Sequence, residues 1–258
     1  MRLALMIPCY IDQLKPEVGI STLRILEACG HEVVFPEAQT CCGQPFLTAG
    51  EVDRAKPLGA HYVEVFESFD RIITPSGSCA ATIRHHLPRW VAGSGAEQTA
   101  GRTMELCEFL ASDEGGSAAL PAGRFAHRVG LHASCHALRE LGQGTPSETR
   151  NAPLTDPAAL LLSKIEGLEL VDLVRRDECC GFGGVFAVAE EAVSCRMGLD
   201  RLADHQGARA EIVASTDASC LMHLEGLSTK RGMPLRMMHV AEIIEAACLP
   251  NEVLDGAR

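Results

Sequence analysis

The sequence predicts an α/β protein of two similar lobes with mostly parallel sheets, produced by an internal duplication. Short β-branched apolar runs alternate with longer amphipathic runs, as in βα units around a parallel sheet. A Cys…CysCysGly…Cys pattern also occurs twice, in the same order and with similar spacing. The chain has 258 residues, 47% of them hydrophobic, which is enough for two lobes of about 100 to 150 residues each.

The first half is expected to contain three strands and two long helices. The strands are predicted at residues 3–7, 31–35 and 71–74, and the helices at residues 18–28 and 52–66. Gly30 is a C-terminal signal for the first helix, and Pro57 is expected to begin or kink the second.

The connection between the halves is predicted from composition. Residues 91–101 and 112–123 are rich in Gly, Ser and Ala and flank a short predicted helix at 104–110. Such segments are typical of loops. The expected organisation is therefore a first half at 1–110, a connection at 111–125 and a second half at 126–258.

The second half repeats the alternation of strands and helices. Asp156 precedes Pro157, a pairing typical of a helix cap followed by a first-turn proline. The strands are predicted at residues 128–132, 169–173, 211–215 and 235–239, and the helices at 156–165, 187–205, 219–230 and 241–248.

Charge and hydropathy restrict the partners and the compartment. Lys+Arg 23 against Asp+Glu 34 gives a net charge of −11, which disfavours binding to nucleic acid or to an anionic membrane surface. The apolar N-terminal run is shorter than a signal peptide, and no apolar run is long enough to span a bilayer. We therefore expect a cytoplasmic protein with no integral membrane segment, in which the 12 cysteines act as metal ligands or redox groups rather than disulfides.

Eight cysteines form the repeat, four in each half. From 12 Cys and 24 Gly, roughly 0.05 Cys-Cys-Gly triplets are expected by chance, so the two that occur are not coincidental. Each cysteine lies where a predicted strand ends or a helix begins, which is where α/β sheets bind ligands. The two sets are Cys9, Cys41, Cys42 and Cys79 in the first half, and Cys135, Cys179, Cys180 and Cys220 in the second.

Four thiolates per half are the usual ligand set of an iron–sulfur cluster. Gly43 and Gly181 would let the backbone adopt a positive φ and bring N–H groups close to a cluster. Zinc also suits four thiolates, but structural zinc usually uses CxxC pairs, which this sequence lacks. Buried cysteines without metal are the third alternative. The cysteines outside the repeat are predicted to fill the core; they are Cys29, Cys107, Cys195 and Cys248.

Three histidines lie close in sequence to the second cysteine set. His132 and His136 flank Cys135, and His223 follows Cys220 by one helical turn. Hydrogen bonding to cluster sulfurs is one role for such residues, and ordinary core or surface positions are the other.

Four segments give the sequence a family resemblance: Pro-Ser-Gly-Ser-Cys at 75–79, residues 132–141, Cys-Cys-Gly-Phe-Gly-Gly at 179–184, and residues 219–223. These segments resemble the cysteine-rich CCG-domain family over nearly the whole chain. That family includes the cysteine-rich component of heterodisulfide reductase and the iron–sulfur subunits of glycolate oxidase and of anaerobic glycerol-3-phosphate dehydrogenase. The amino-acid sequences of the four segments are most similar to those of family members that serve lactate oxidation.

The resemblance implies a duplicated CCG domain and an oxidoreductase component. The implied protein is the iron–sulfur subunit of a multi-component complex that oxidises L-lactate to pyruvate, with two [4Fe–4S] clusters held by the eight repeated cysteines. Its implied partners are a ferredoxin-like iron–sulfur protein, a third small subunit and a small hydroxy-acid substrate. Catalysis is expected to need the partner subunits, and the resemblance assigns no catalytic residue.

One departure from the wider family bears on the cluster. The heterodisulfide reductase member has a further CxxC thiolate at each site, but Thr82 and His223 stand at those positions here. This disfavours a five-thiolate, non-cubane cluster and a heterodisulfide substrate. A four-thiolate cluster, with or without assistance from His223, is expected instead. Oxidation of another hydroxy acid such as glycolate, and a non-catalytic zinc-bound interaction module, are the alternatives.

Overall fold

The computed structural model describes residues 1–144 and 156–249 and contains two parallel sheets of four strands each. The strands of the first sheet are β1 (Arg2–Leu5), β2 (Glu32–Val34), β3 (Arg71–Thr74) and β4 (Thr103–Glu105). Those of the second are β5 (Arg128–Leu131), β6 (Glu169–Leu170), β7 (Ile212–Ser215) and β8 (Arg236–His239).

The two sheets have the same topology. Their strand orders are β2-β1-β3-β4 and β6-β5-β7-β8, and every pairing in them is parallel. The predicted α/β fold with an internal duplication is therefore confirmed. The boundaries proposed at 1–110, 111–125 and 126–258 stay predictions, and residues 145–155 and 250–258 lie outside the described part of the chain.

Helices flank both sheets. In the first half they are α1 (Cys9–Leu14), α2 (Pro16–Ala28), α3 (Gln44–Thr48), α4 (Val52–Phe66), α5 (Gly77–Ala81), a π-helical segment (Thr82–His86), α6 (Leu87–Trp90), α7 (Ser94–Arg102) and α8 (Leu106–Ala111). A 3₁₀ turn (Ser117–Ala119) follows. In the second half they are α9 (Cys135–Arg139), α10 (Pro157–Leu162), α11 (Val185–Ala189), α12 (Glu191–Gly207), α13 (Ala218–Lys230) and α14 (Val240–Cys248).

Three of the predicted segments differ in the structure, and the short helices α1, α3, α6 and α9 were not predicted. Residues 94–102, expected to be a loop, form α7, because Ala96 and Ala100 are buried and give the helix an apolar face. The start of the helix expected at 104–110 is the edge strand β4, which pairs with β3. The helix expected at 187–205 is divided at Glu190, where the backbone leaves the helical region.

The two halves share one hydrophobic core. It contains Leu3, Ile25 and Phe109 from the first half together with Val129 and Ile244 from the second. Helix α14 packs on α2, and α10 packs on α8, so each half contributes a helix to its neighbour in an equivalent way. Since the core spans both sheets, the halves form one continuous body.

The topology fixes where a ligand site should lie. The chain leaves β1 toward one edge of its sheet and returns to β3 on the other side, and β5 and β7 repeat this arrangement. Ligands in open α/β sheets bind at such switch points, beyond the carboxyl ends of the strands. Among residues 1–144 and 156–249, no helix is both long enough and apolar enough to cross a membrane.

Candidate metal centre

Both switch points carry cysteines. In the first half, Cys9 begins α1 after β1, and Cys79 lies in α5 after β3. In the second half, Cys135 begins α9 after β5, and Cys220 lies in α13 after β7. The parallel sheets thus bring the first and last cysteine of each set to the same crevice.

The Cys-Cys-Gly triplets supply the remaining sulfurs from tight loops. Gly43 and Gly181 both have φ of 87°, in the left-handed region that favours glycine. The N–H of Gly181 points at the Sγ of Cys179 at 3.4 Å, and the N–H of Phe182 points at the Sγ of Cys180 at 3.5 Å. The turn therefore presents two adjacent thiols and directs backbone donors toward them.

All eight repeated cysteines line one cavity of about 100 Å³ between the halves. In the first set, the Sγ atoms of Cys9 and Cys41 are 3.8 Å apart, and those of Cys42 and Cys79 are 3.3 Å apart. These separations are far longer than the roughly 2.05 Å of a disulfide bond. The sulfurs therefore converge as free thiols around a common space.

The cysteines outside the repeat lie elsewhere. Cys29 and Cys107 are in the shared core, as predicted for core-filling residues, and Cys248 packs at its edge. The prediction for Cys195 was wrong: it is only partly buried and borders a separate surface depression beside α13. None of these four lines the cysteine cavity.

Thiol protons are shared within each set. Hydrogen bonds from Cys42 and Cys9 lower the pKa of Cys41 far below its usual range, and hydrogen bonds from Cys135 and Cys180 do the same to the pKa of Cys179. Hydrogen bonding to Cys41 raises the pKa of Cys42, with burial as a further cause. Each set thus favours one thiolate, and a thiophilic metal would replace the shared protons of the others.

The second set has an additional donor in His132. The ring is buried, and neither nitrogen has a hydrogen-bond partner among the described residues. A ring nitrogen of His132 and the Sγ atoms of Cys180 and Cys220 lie within 4.8 Å of one another. Burial lowers the pKa of His132 to about 4, so the ring is neutral near pH 7. Sulfur and imidazole nitrogen are ligands typical of zinc and of iron–sulfur centres, so these residues fit such a group.

The other two histidines are already partnered. The Nε2 of His136 lies 3.2 Å from the amide nitrogen of Gln44 in the first half, and its Nδ1 lies 3.7 Å from the Sγ of Cys135. His223 lies 3.4 Å from the carbonyl oxygen of Ser194, on the face of α13 that meets α12. Of the three histidines near the second set, His132 alone presents unpartnered ring nitrogens.

Contacts between the halves close the cavity. Asp217, which precedes α13, accepts hydrogen bonds from the hydroxyl groups of Ser76 and Ser78 at 2.6 and 2.7 Å. Tyr10 beside Cys9 packs edge-on against Phe182, with ring centroids 5.6 Å apart.

The sequence analysis did not identify Asp217 as a residue of the site. The available signal was its position three residues before Cys220, which matches that of Ser76 before Cys79 in the first half.

A sequence-family model described as the CCG cysteine-rich domain matches this chain twice, at residues 3–84 and 129–225. The chain belongs to the cysteine-rich CCG-domain family. Each matched stretch of this CCG-domain protein contains one complete set of four cysteines.

Bacterial relatives cover nearly the whole CCG-domain chain. It is 37% identical over 257 residues to lactate utilization protein A of Geobacillus kaustophilus (strain HTA426), covering 95% of this chain and 99% of the relative. It is 36% identical over 253 residues to lactate utilization protein A of Geobacillus thermodenitrificans (strain NG80-2), covering 95% and 98%. A solved structure of a putative Asp/Glu racemase from Yersinia pestis covers 95% of this chain and 96% of its own, but with 10% identity and a TM-score of 0.37 it supports no inference.

Proposed function

We propose that this protein is the iron–sulfur subunit of a multi-component complex that oxidises L-lactate to pyruvate. The main support is the convergence of eight cysteines, four from each duplicated half, on one cavity. The chain is also related over 95% of its length to proteins named lactate utilization protein A. Together these observations favour a redox role over a purely structural one.

In this proposal each half holds one [4Fe–4S] cluster. The first is bound by Cys9, Cys41, Cys42 and Cys79, and the second by Cys135, Cys179, Cys180 and Cys220. Gly43 and Gly181 let the loops approach each cluster closely, because a side chain at either position would be strained at φ of 87°. Oxidation of lactate to pyruvate releases two electrons and two protons, which matches two centres that each accept one electron.

The chain's own residues hold these centres in a closed environment. Tyr10 and Phe182 pack together at the cavity, and Cys42, Cys79, Cys180 and Cys220 are buried. Burial and backbone N–H groups near the sulfurs tune the potential of an iron–sulfur centre. The protein therefore carries electrons, and the oxidation of lactate also requires its partner subunits.

The proposed partners are a ferredoxin-like iron–sulfur protein, which receives the electrons, and a third small subunit. The net charge of −11 disfavours nucleic acid as a partner. We place the complex in the cytosol, where a reducing environment keeps the cysteines available as thiolate ligands.

Anaerobic purification followed by metal and sulfide analysis tests the proposal. About eight iron and eight sulfide per chain are expected for two four-iron clusters, together with a brown colour and paramagnetic resonance after reduction. The complex reconstituted with its partners should oxidise L-lactate in preference to D-lactate and glycolate. A folded chain that still binds its partners but contains one zinc per half and no iron would contradict the proposal. A reconstituted complex that shows no preference for lactate would contradict the proposed substrate.

A further inference from the structure

The duplication places different residues at one equivalent position behind the two cysteine sets. Met6 follows β1, and its N–H donates to the carbonyl oxygen of Ile73 in β3 at 2.9 Å. His132 follows β5, and its N–H donates to the carbonyl oxygen of Ala214 in β7 at 2.7 Å. The two residues therefore occupy the same place in the fold, a thioether in the first half and an imidazole in the second.

The long helices α4 and α12 can be aligned through the same duplication. A Cβ built on Gly43 would contact the side chain of Ala55 in α4, and one built on Gly181 would contact Ser194 in α12. Ala55 and Ser194 are thus equivalent. Counting two and three helical turns onward from each pairs Tyr62 with Arg201 and Phe66 with His205.

At these paired positions the first half has apolar or aromatic side chains and the second half has polar ones. In the first half, Met6, Tyr62 and Phe66 belong to one apolar cluster, with the two aromatic ring centroids 4.6 Å apart. The cluster also contains Cys42 and Cys79. The first cysteine set is therefore backed by apolar side chains.

In the second half the equivalent residues are His132, Arg201 and His205, and all three are buried. The rings of His132 and His205 are 6.5 Å apart, and the Nε of Arg201 lies 3.5 Å from the Nε2 of His205. The guanidinium group is paired with Asp204 at 3.2 Å. A polar array containing a buried cation therefore begins at the second cysteine set.

The end of this array nearest the cysteines lacks a partner. Both ring nitrogens of His132 are buried without a hydrogen bond among the described residues. A buried polar group without a hydrogen-bond partner is energetically unfavourable. The ring lies within reach of Cys180 and Cys220, so a group bound by those sulfurs is the partner that its geometry can satisfy.

We propose that His132 contacts the cluster of the second set and makes that centre more easily reduced than the first. This inference rests on the proposed function, in which each cysteine set holds a redox-active cluster. Hydrogen-bond donors favour the more negative, reduced state of a cluster. The His132 ring can donate toward the second set, whereas the Met6 side chain at the equivalent position of the first half has no N–H or O–H to donate. An electron from a reduced first centre would then pass to an oxidised second centre, with no bond made or broken.

The test is a redox titration, followed by paramagnetic resonance, of the complete iron-loaded chain under anaerobic conditions. The wild type should show two separate midpoint potentials. His132→Met, which installs the residue of the first half, should lower the higher potential toward the other while both clusters stay bound. His132→Gln, which keeps a donor, should retain most of the separation, and Met6→Leu, the matched control, should change neither potential.

A second measurement is made on the wild-type protein, so it does not depend on whether a variant folds. Pulsed resonance of the wild type labelled with ¹⁵N-histidine should show nitrogen coupling at one of the two centres. The absence of such coupling, undiminished coupling in His132→Met, or unchanged potentials in that variant with both clusters bound would overturn the inference alone. A wild type without redox-active iron would overturn the proposed function as well, so the two failures are distinguishable.

Discussion

Asp217 in the second half accepts two hydrogen bonds from Ser78 in the first half, one from its hydroxyl group at 2.7 Å and one from its backbone N–H at 3.1 Å. Ser78 directly precedes Cys79, and Asp217 lies three residues before Cys220. This contact therefore joins the two helices that carry the last cysteine of each set.

Replacing Asp217 is expected to weaken both cysteine sets together. Asp217→Ala leaves the buried hydroxyl groups of Ser76 and Ser78 without their acceptor, and losing a buried charged hydrogen-bond partner costs about 3 kcal/mol. Anaerobic urea unfolding should show this loss, and iron content should fall in both halves. Asp53→Ala, at an exposed position on α4, is the control. Equal stability of the two variants would contradict the structural role of Asp217.

Removing one thiol is expected to affect one centre. In the proposed arrangement each half supplies the four sulfurs of its own cluster, so Cys42→Ser and Cys180→Ser should each lose about half of the iron and one of the two resonance signals. Cys195→Ser, outside both sets, should lose none. Loss of all iron in either single variant would instead indicate ligands shared across the cavity.

The two Cys-Cys-Gly glycines should differ in their tolerance of a side chain. Both have φ of 87°, so alanine costs about 1–2 kcal/mol of backbone strain at either site. A Cβ at Gly181 would also lie 2.6 Å from the carbonyl oxygen of Ser194, whereas one at Gly43 would lie 3.3 Å from the Trp90 side chain. Gly181→Ala should therefore lower the free energy of unfolding by roughly 1–3 kcal/mol more than Gly43→Ala. Thermal unfolding of both variants checks this, and an equal loss would contradict it.

Local patterns were sufficient for the long or strongly apolar elements. Strand β3 and helix α4 begin and end where the sequence predicts, because β3 is a short β-branched run with two buried isoleucines and α4 keeps helical apolar spacing despite Pro57. The meeting of the cysteines also follows from the sequence, since parallel strands bring their carboxyl ends to one edge.

Long-range features were not accessible in this way. Strand β4 has three residues and exists because it pairs with β3, which no local pattern reveals. The bond between Asp217 and Ser78 and the orphaned ring of His132 depend on how the two halves face one another and on what surrounds a buried side chain. Such contacts become visible only in three dimensions.

Acid should destabilise the fold through His239. This buried residue caps α14: its Nδ1 accepts the N–H of Ala241 at 3.1 Å, and the Glu242 carboxylate accepts the N–H of His239 at 2.7 Å. Burial lowers the pKa of His239 to about 4, whereas the unfolded chain should show about 6.5. The folded state therefore requires the neutral ring.

The sign of the pH dependence follows from that difference. Above about pH 6.5, His239 is neutral in both the folded and the unfolded chain, so its contribution to the free energy of unfolding is constant. Between about pH 6.5 and 4, His239 binds a proton in the unfolded chain but not in the folded one. The free energy of unfolding should then fall by up to about 1.4 kcal/mol per pH unit from this residue. His239→Asn keeps an N-cap acceptor without a titrating ring, so urea unfolding between pH 4.5 and 7 should give it a shallower slope than the wild type. His85→Asn, at an exposed position, should keep the wild-type slope, and identical slopes in all three proteins would show that His239 does not govern the acid response.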